Sequence, residues 1–236
     1  MNEISTKEHF KESIKKIWED SSMTKWNNPI CEDILKRGVV LQDKISMNSI
    51  LFIGINPSFN KEKGLRNNDF NNDNDGFYNN DDGHIDRNSY FKKFREISKE
   101  VNSDWAHTDL LFFRETNQKF VNQLLNLEIG KEFIKKQLEI SKQIIIQAKP
   151  KVIIVSNALA RDLMGIFIKG EENIEISEPS MKFKFKFDDD LGTHKIINQK
   201  ELENIPVFFT SMLTGQRALD LGSYKRLIWH IKYVLK

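Results

Sequence analysis

Ser49-Ile50-Leu51-Phe52-Ile53-Gly54-Ile55-Asn56-Pro57-Ser58 decides how this chain folds. An apolar run without polar alternation reads as a strand buried on both faces, as in a parallel sheet. Pro57 has no N–H for a ladder, so the strand, placed at Ser49 to Ile55, stops there. Gly54 lets a neighbour or a ligand approach the backbone closely. Asn56 is thereby held at the carboxyl end of a central strand, the edge where open α/β sheets bind ligands. An ordinary Asn-Pro turn explains the same residues without a ligand.

Three more apolar runs follow at intervals: Thr108 to Phe113, Lys151 to Ser156 just after Pro150, and Pro206 to Thr210. A helix over residues 130–148 separates the second and third, with Phe133, Ile134, Leu138, Ile140, Ile144 and Ile145 at helical spacing. Asn157 reads as the N-cap of a helix over Ala158 to Met164. A last helix is expected after Gly222-Ser223, with Leu227, Ile228, Ile231 and Val234 on one face. Residues 1–48 contribute two helices, near 7–20 and 30–37. Strands alternating with helices predict a single α/β domain over residues 1–236. Its form is a three-layer α/β/α sandwich on a four-stranded parallel sheet.

The 36 Lys and Arg against 34 Asp and Glu leave a net charge of +2. That balance neither demands nor excludes nucleic acid; a local basic surface is needed. Cys31 is the single cysteine, which rules out an internal disulfide and a Cys-rich metal site. His9, His84, His107, His194 and His230 show no ligand spacing, so neither metal nor cofactor is expected. The charged N-terminus has no signal core and no run approaches a membrane span. A soluble, cytoplasmic protein with no membrane partner is expected.

Two segments break the pattern. Residues 67–83 are rich in Asn and Asp and read as a mobile loop. Asn71, Asp73, Asp75, Gly76 and Asp82 echo a calcium loop, without its first Asp or last Glu. Met181-Lys182-Phe183-Lys184-Phe185-Lys186-Phe187 alternates as a strand with Phe inward and Lys outward. It reads as an edge strand guarded by lysine, or as a basic strip for phosphates.

The strand ends can be taken together. Asn56-Pro57-Ser58-Phe59, Arg114-Glu115-Thr116-Asn117-Gln118 and Ser211-Met212-Leu213-Thr214-Gly215-Gln216-Arg217 all follow strands, so a parallel sheet brings them to one cleft. Amides, hydroxyls and two arginines would line it, with Phe59, Phe77 and Tyr78 nearby. Such a lining suits a flat heterocycle, stacked on a ring and hydrogen-bonded at its edge.

The pieces that carry a family resemblance are four. Gly54-Ile55-Asn56-Pro57-Ser58 is similar to the Gly-Ile-Asn-Pro-Gly motif of the mismatch-specific branch of the uracil-DNA glycosylase superfamily. Thr108 to Arg114, followed by Asn117, resembles that superfamily's second strand. Lys149-Pro150-Lys151 through Ala160 resembles its third strand and helix. Phe209 to Arg217 stands in the place of its last motif.

The resemblance covers most of residues 49–236. It implies the uracil-DNA glycosylase-like fold, base flipping from DNA, and hydrolysis of an N-glycosidic bond in base excision repair. Asn56 then corresponds to the residue that places the attacking water. Gly54, Ile55, Pro57, Ser58, Phe59, Asp109, Arg114 and Asn117 correspond to substrate contacts, as do Ser211, Thr214, Gly215, Gln216 and Arg217. Leu219 or Leu221 falls where a wedge would sit, and Arg217 and Lys225 where phosphates would be gripped.

Three departures accompany it. An amide at position 56 can hold a water but not deprotonate it. Met212 or Leu213 stands where the family's His would donate to the departing base, a loss of a kind worth about 2.7–4 kcal/mol of barrier. Backbone N–H groups near Ser58 or Thr214-Gly215-Gln216 would have to serve instead. Asp109 stands where some branches have Asn, and an ionised Asp cannot donate to a carbonyl. Two rival readings are a catalytically silent module that binds a nucleobase or nucleic acid, and a scaffold whose Asn/Asp-rich loop is an interaction tail.

Overall fold

All five residues of Ile50–Gly54 are buried, and the sheet is built around this strand. The computed structural model describes residues 2–20, 26, 28–59, 70, 75–78, 88–168, 178–215 and 218–236. In chain order the first half comprises β1 (Glu3–Ser5), α1 (Thr6–Glu19), α2 (Pro29–Lys36), β2 (Leu41–Gln42), β3 (Lys44–Ser46), β4 (Ile50–Gly54), β5 (Phe77–Tyr78), α3 (Lys92–Val101) and β6 (Trp105–Asp109). Then follow α4 (Gln118–Leu125), α5 (Glu128–Ala148), β7 (Val152–Val155), α6 (Ala158–Met164), β8 (Gly165–Ile168), β9 (Phe183–Asp188), β10 (Thr193–Ile196), β11 (Pro206–Phe209) and α7 (Leu221–Val234).

The central sheet has seven strands in the order β6-β4-β7-β11-β10-β9-β8, not the expected four. β6, β4, β7 and β11 are mutually parallel, β10 is antiparallel to both its neighbours, and β8 is parallel to β9. The alternating Phe/Lys segment accounts for part of the difference. It is β9, paired on both sides, so the edge-strand reading is corrected: the edge is the short β8. Phe183 and Phe185 do point inward and are buried, while Phe187 is exposed.

The two faces of the sheet carry separate cores. Leu51, Ile53, Ile153, Val155 and Val207 pack with residues of α1, α2, α4, α5 and α6. Ile50, Phe52, Val152, Ile154 and Phe208 pack with residues of α3 and α7. Phe52 stacks on Phe94 of α3, with centroids 4.2 Å apart and planes 5° apart. The alternation follows from the strand pleat, and burial on both faces explains the unbroken apolar runs.

The second strand is displaced from its expected place. The ladder runs from Trp105 to Asp109, so Asp109 closes the strand instead of nearly opening it. Leu110, Leu111, Phe112 and Phe113 leave the sheet and are wholly buried in the α5-side core. Buried backbone leaving a ladder needs other partners. Gln137 Oε1 accepts from Phe112 N and Ser141 Oγ donates to Leu110 O, both at 2.7 Å. Gly54 O accepts from Leu110 N at 3.1 Å, Ile55 O accepts from Leu111 N at 2.9 Å and Val40 N donates to Phe112 O at 2.9 Å, so one turn of α5 supplies only part of the segment's partners.

Two helix starts can be compared with expectation. Asn157 caps α6 by accepting from Ala160 N at 3.1 Å. The last helix begins one cap earlier than expected: Asp220 accepts from Ser223 N at 3.0 Å, which puts Gly222 and Ser223 inside its first turn. Among the described residues no helix is long and apolar enough to cross a membrane.

Of the calcium-like positions, Asn71, Asp73 and Asp82 lie outside the described residues. Asp75 is fully buried, and its carboxylate faces two ammonium groups, Lys11 at 2.9 Å and Lys7 at 3.1 Å. Burial opposes ionisation, yet Lys11 and Lys7 hold this carboxyl below the usual range. The lysines of α1 therefore occupy what the sequence suggested as a cation ligand. Removing both (Lys7→Ala with Lys11→Ala) leaves a buried unpaired charge, and urea unfolding should show a loss of about 3 kcal/mol. Each single variant should lose much less, because the other lysine remains.

Candidate functional site

The carboxyl ends of β4, β6 and β11 lie on one edge of the sheet, as parallel pairing requires. The expected site residues nevertheless divide between its two faces. On the α5 side, Phe59 lies under two guanidinium groups, Arg37 at 4.3 Å and Arg114 at 5.4 Å from the ring centroid. Arg37 also pairs with Asp33 and Glu115. Phe59, Arg37, Glu115 and Asn117 line a cavity of about 520 Å³. Asn117 serves as the cap of α4, accepting from Lys119 N at 3.0 Å, which is a structural duty rather than a substrate contact.

Asn56 ties the two loops together. Its Nδ2 donates to Glu115 O at 2.6 Å and to Pro57 O at 3.0 Å, and Glu115 N donates to Pro57 O at 3.0 Å. Both amide protons are spent on the protein, so only the carbonyl Oδ1 is left to hold a water. Ile55 is buried in the α5-side core, which assigns it to packing. Ser58 is exposed.

The other face holds the chemistry. His107 and Asp109 are two residues apart on β6, so both side chains point to the α3 side. Asp109 is paired in register with Gly54. A Cβ at Gly54 would lie 2.1 Å from Asp109 Oδ1 and 3.3 Å from His107 Nε2, so the glycine is the space the two groups occupy. Asp109 Oδ1 stands 3.7 Å from His107 Nε2, and the side chains are only 12% and 4% exposed.

Aromatic rings pack around His107. Phe91, Phe94 and Tyr90 lie 5.2, 5.6 and 6.0 Å from the His107 ring. Neither ring nitrogen has a hydrogen-bond partner among the described residues. Tyr78, at the end of β5, lies near enough for the Asp109 charge to add to burial in raising its hydroxyl pKa, and the same holds for Tyr90. Leu213, from the loop after β11, belongs to this same core.

Such an environment penalises charge. Burial raises the Asp109 carboxyl to about 7 and lowers the His107 imidazole to about 3. This corrects the sequence reading of an ionised Asp109. Near pH 7 about half of it is the neutral acid, which has an O–H to donate and a C=O to accept, and that share grows below pH 7. A buried titratable pair with unused hydrogen-bonding capacity, at the carboxyl edge of a parallel sheet, makes this the candidate site.

The last loop is seen in part. Gly215 turns with a positive φ of 88°, and Met212 O accepts from Leu219 N at 3.0 Å. Ser211 and Thr214 lie beyond the end of β11 on the shared edge. Leu219 is half-buried against the α3-side core, while Leu221 is 67% exposed at the start of α7. Gln216 and Arg217 lie outside the described residues, as does His84.

His107 and Tyr90 were missed as site residues. The findable signal was His-x-Asp at strand spacing beside a Gly-ended strand. No protein-family model matches the chain, and no curated protein compared with it matches either.

Proposed function

We propose that this chain is a nucleobase-recognising N-glycosidic hydrolase of uracil-DNA glycosylase-like fold, acting on DNA. The observation that carries it is the buried Asp109 carboxyl, set beside His107 and facing Gly54 at the carboxyl edge of the sheet, where burial raises its pKa to about 7. An O–H donor beside a C=O acceptor pairs with a lactam edge, as in uracil, hypoxanthine or xanthine. Tyr78 and Tyr90 offer ring faces against which the base would lie.

The same group supplies what the absent last-motif His would. As the bond from C1′ to the base nitrogen breaks, its electron pair moves onto the base and charge gathers on the lactam oxygen. The Asp109 O–H stabilises that oxygen in a dry pocket, where such donors act most strongly. Asn56 Oδ1 holds the water that attacks C1′, and the water's proton leaves to solvent.

The second reading is a silent binding module. It is favoured by Leu213, which fills core space where the family has a polar donor, and by the structural commitment of the Asn56 amide. Duplex and single-stranded oligonucleotides carrying uracil, hypoxanthine, xanthine or alkylated bases separate the two: abasic sites support hydrolysis, and binding without them supports the module. Within the hydrolytic reading, Asn56→Ala should slow single-turnover base release about 100-fold, with oligonucleotide affinity nearly unchanged. Release at the wild-type rate would remove Asn56 from the mechanism.

A further inference from the structure

The α3-side layer of the sandwich carries a charge that the composition hides. On α3, Lys92, Lys93, Arg95 and Lys99 stand against Glu96 and Glu100. From the start of α7 to the end of the chain there are Lys225, Arg226, Lys232 and Lys236 and no carboxylate. The side chains of these two packed helical segments sum to +6, in a chain whose total is +2. Some of the charge is engaged: Lys93 with Glu96 at 2.7 Å and Lys232 with Glu100 at 3.0 Å. The excess remains.

Two large aromatic residues lie on the outer face of the same layer. Trp229 is 65% exposed and Tyr233 49% exposed. Their rings are nearly parallel and stacked, 12° apart with centroids at 5.9 Å. They are not turned outward by accident of a loose helix. His230, between them, packs on Phe208 at 4.8 Å and its Nε2 meets Leu191 O at 2.7 Å. Ile231 is fully buried. The register of α7 is therefore fixed, and it presents Trp229 and Tyr233 to solvent among cations.

We infer that the outer face of α7, with the adjoining cations of α3, is a track for single-stranded nucleic acid. Phosphates meet Lys225, Arg226 and Lys236, and unpaired bases stack on Trp229 and Tyr233. Charge complementarity selects a polyanion, and exposed ring faces among the cations select one with free π-faces, which duplex DNA withholds. The helix that carries the track packs on the same face of the sheet as Asp109 and His107. The inference rests on nucleic acid being the partner, and not on hydrolysis.

Anisotropy of a labelled oligo-dT of about twenty nucleotides tests it, with inorganic polyphosphate as a competitor lacking bases. Trp229→Ala with Tyr233→Ala should weaken oligo-dT binding about tenfold and leave polyphosphate binding and the salt dependence unchanged. Lys225→Glu with Arg226→Glu should weaken both ligands and flatten the salt dependence. Wild-type oligo-dT affinity in the aromatic variant would overturn the inference. So would a wild-type dimer in light scattering that the aromatic variant turns into a monomer, since the face would then belong to a second copy.

Discussion

Asp109→Asn is expected to make stability fall with acid between about pH 6.5 and 3, relative to the wild type. Folded, the Asp109–His107 pair holds one proton from about pH 3 to about pH 7. Unfolded, with ordinary values near 3.8 and 6.5, it also holds one proton between those limits, now on the imidazole. Equal proton counts mean that the wild-type pair contributes no slope there.

Removing the acid leaves His107, which stays neutral when folded but is protonated when unfolded below pH 6.5. The unfolded state then binds more protons, so acid destabilises, by up to about 1.4 kcal/mol per pH unit. His107→Phe, which suits the ring of aromatic neighbours, leaves Asp109 alone. Its folded value is the raised one, so stability is full below about pH 3.8 and is lost as pH rises towards 7. Urea midpoints of the three proteins from pH 3 to 8 should therefore diverge in opposite directions. Parallel curves would mean that the pair is not buried as described.

Gly54→Ala is the second change with a large expected effect. The added Cβ meets Asp109 Oδ1 at 2.1 Å, well inside contact distance, while the strand is pinned on both sides by β6 and β7. The carboxyl must rotate away from His107 or the strands must part. Overpacking of this kind costs about 1–3 kcal/mol. The loss of base binding should be nearly complete, because the reading group is the one displaced. Calorimetric titration with free bases, beside thermal unfolding, checks both effects. A Gly54→Ala protein that binds as the wild type would place the pocket elsewhere.

Much of this arrangement was legible in the chain. Three of the four apolar runs did become parallel strands, because burial on both faces leaves no polar alternation in them, while the second gave its strand only Thr108 and Asp109. The Asn157 cap was legible because capping is local. What escaped depended on distant partners. Leu110 to Phe113 looked like strand and is core loop, since Gln137 and Ser141 reach it from α5. The short β1 to β3 have too few residues to show a period. Asp75 read as part of a solvated loop with an echo of a calcium site because nothing local announces Lys7 and Lys11. Asp109 read as ionised because its raised pKa comes from burial, which packing creates beside His107 and in the space at Gly54.

The most direct test of base reading by a neutral Asp109 is single-turnover abasic-site formation between pH 5.5 and 8.5. It is run on oligonucleotides carrying uracil, hypoxanthine or xanthine. Release should be fastest below the Asp109 value of about 7 and fall as the acid ionises above it. Asp109→Asn, which offers a weaker donor and no titration, should be slow at every pH. Base release that is independent of pH and survives Asp109→Asn would contradict the account.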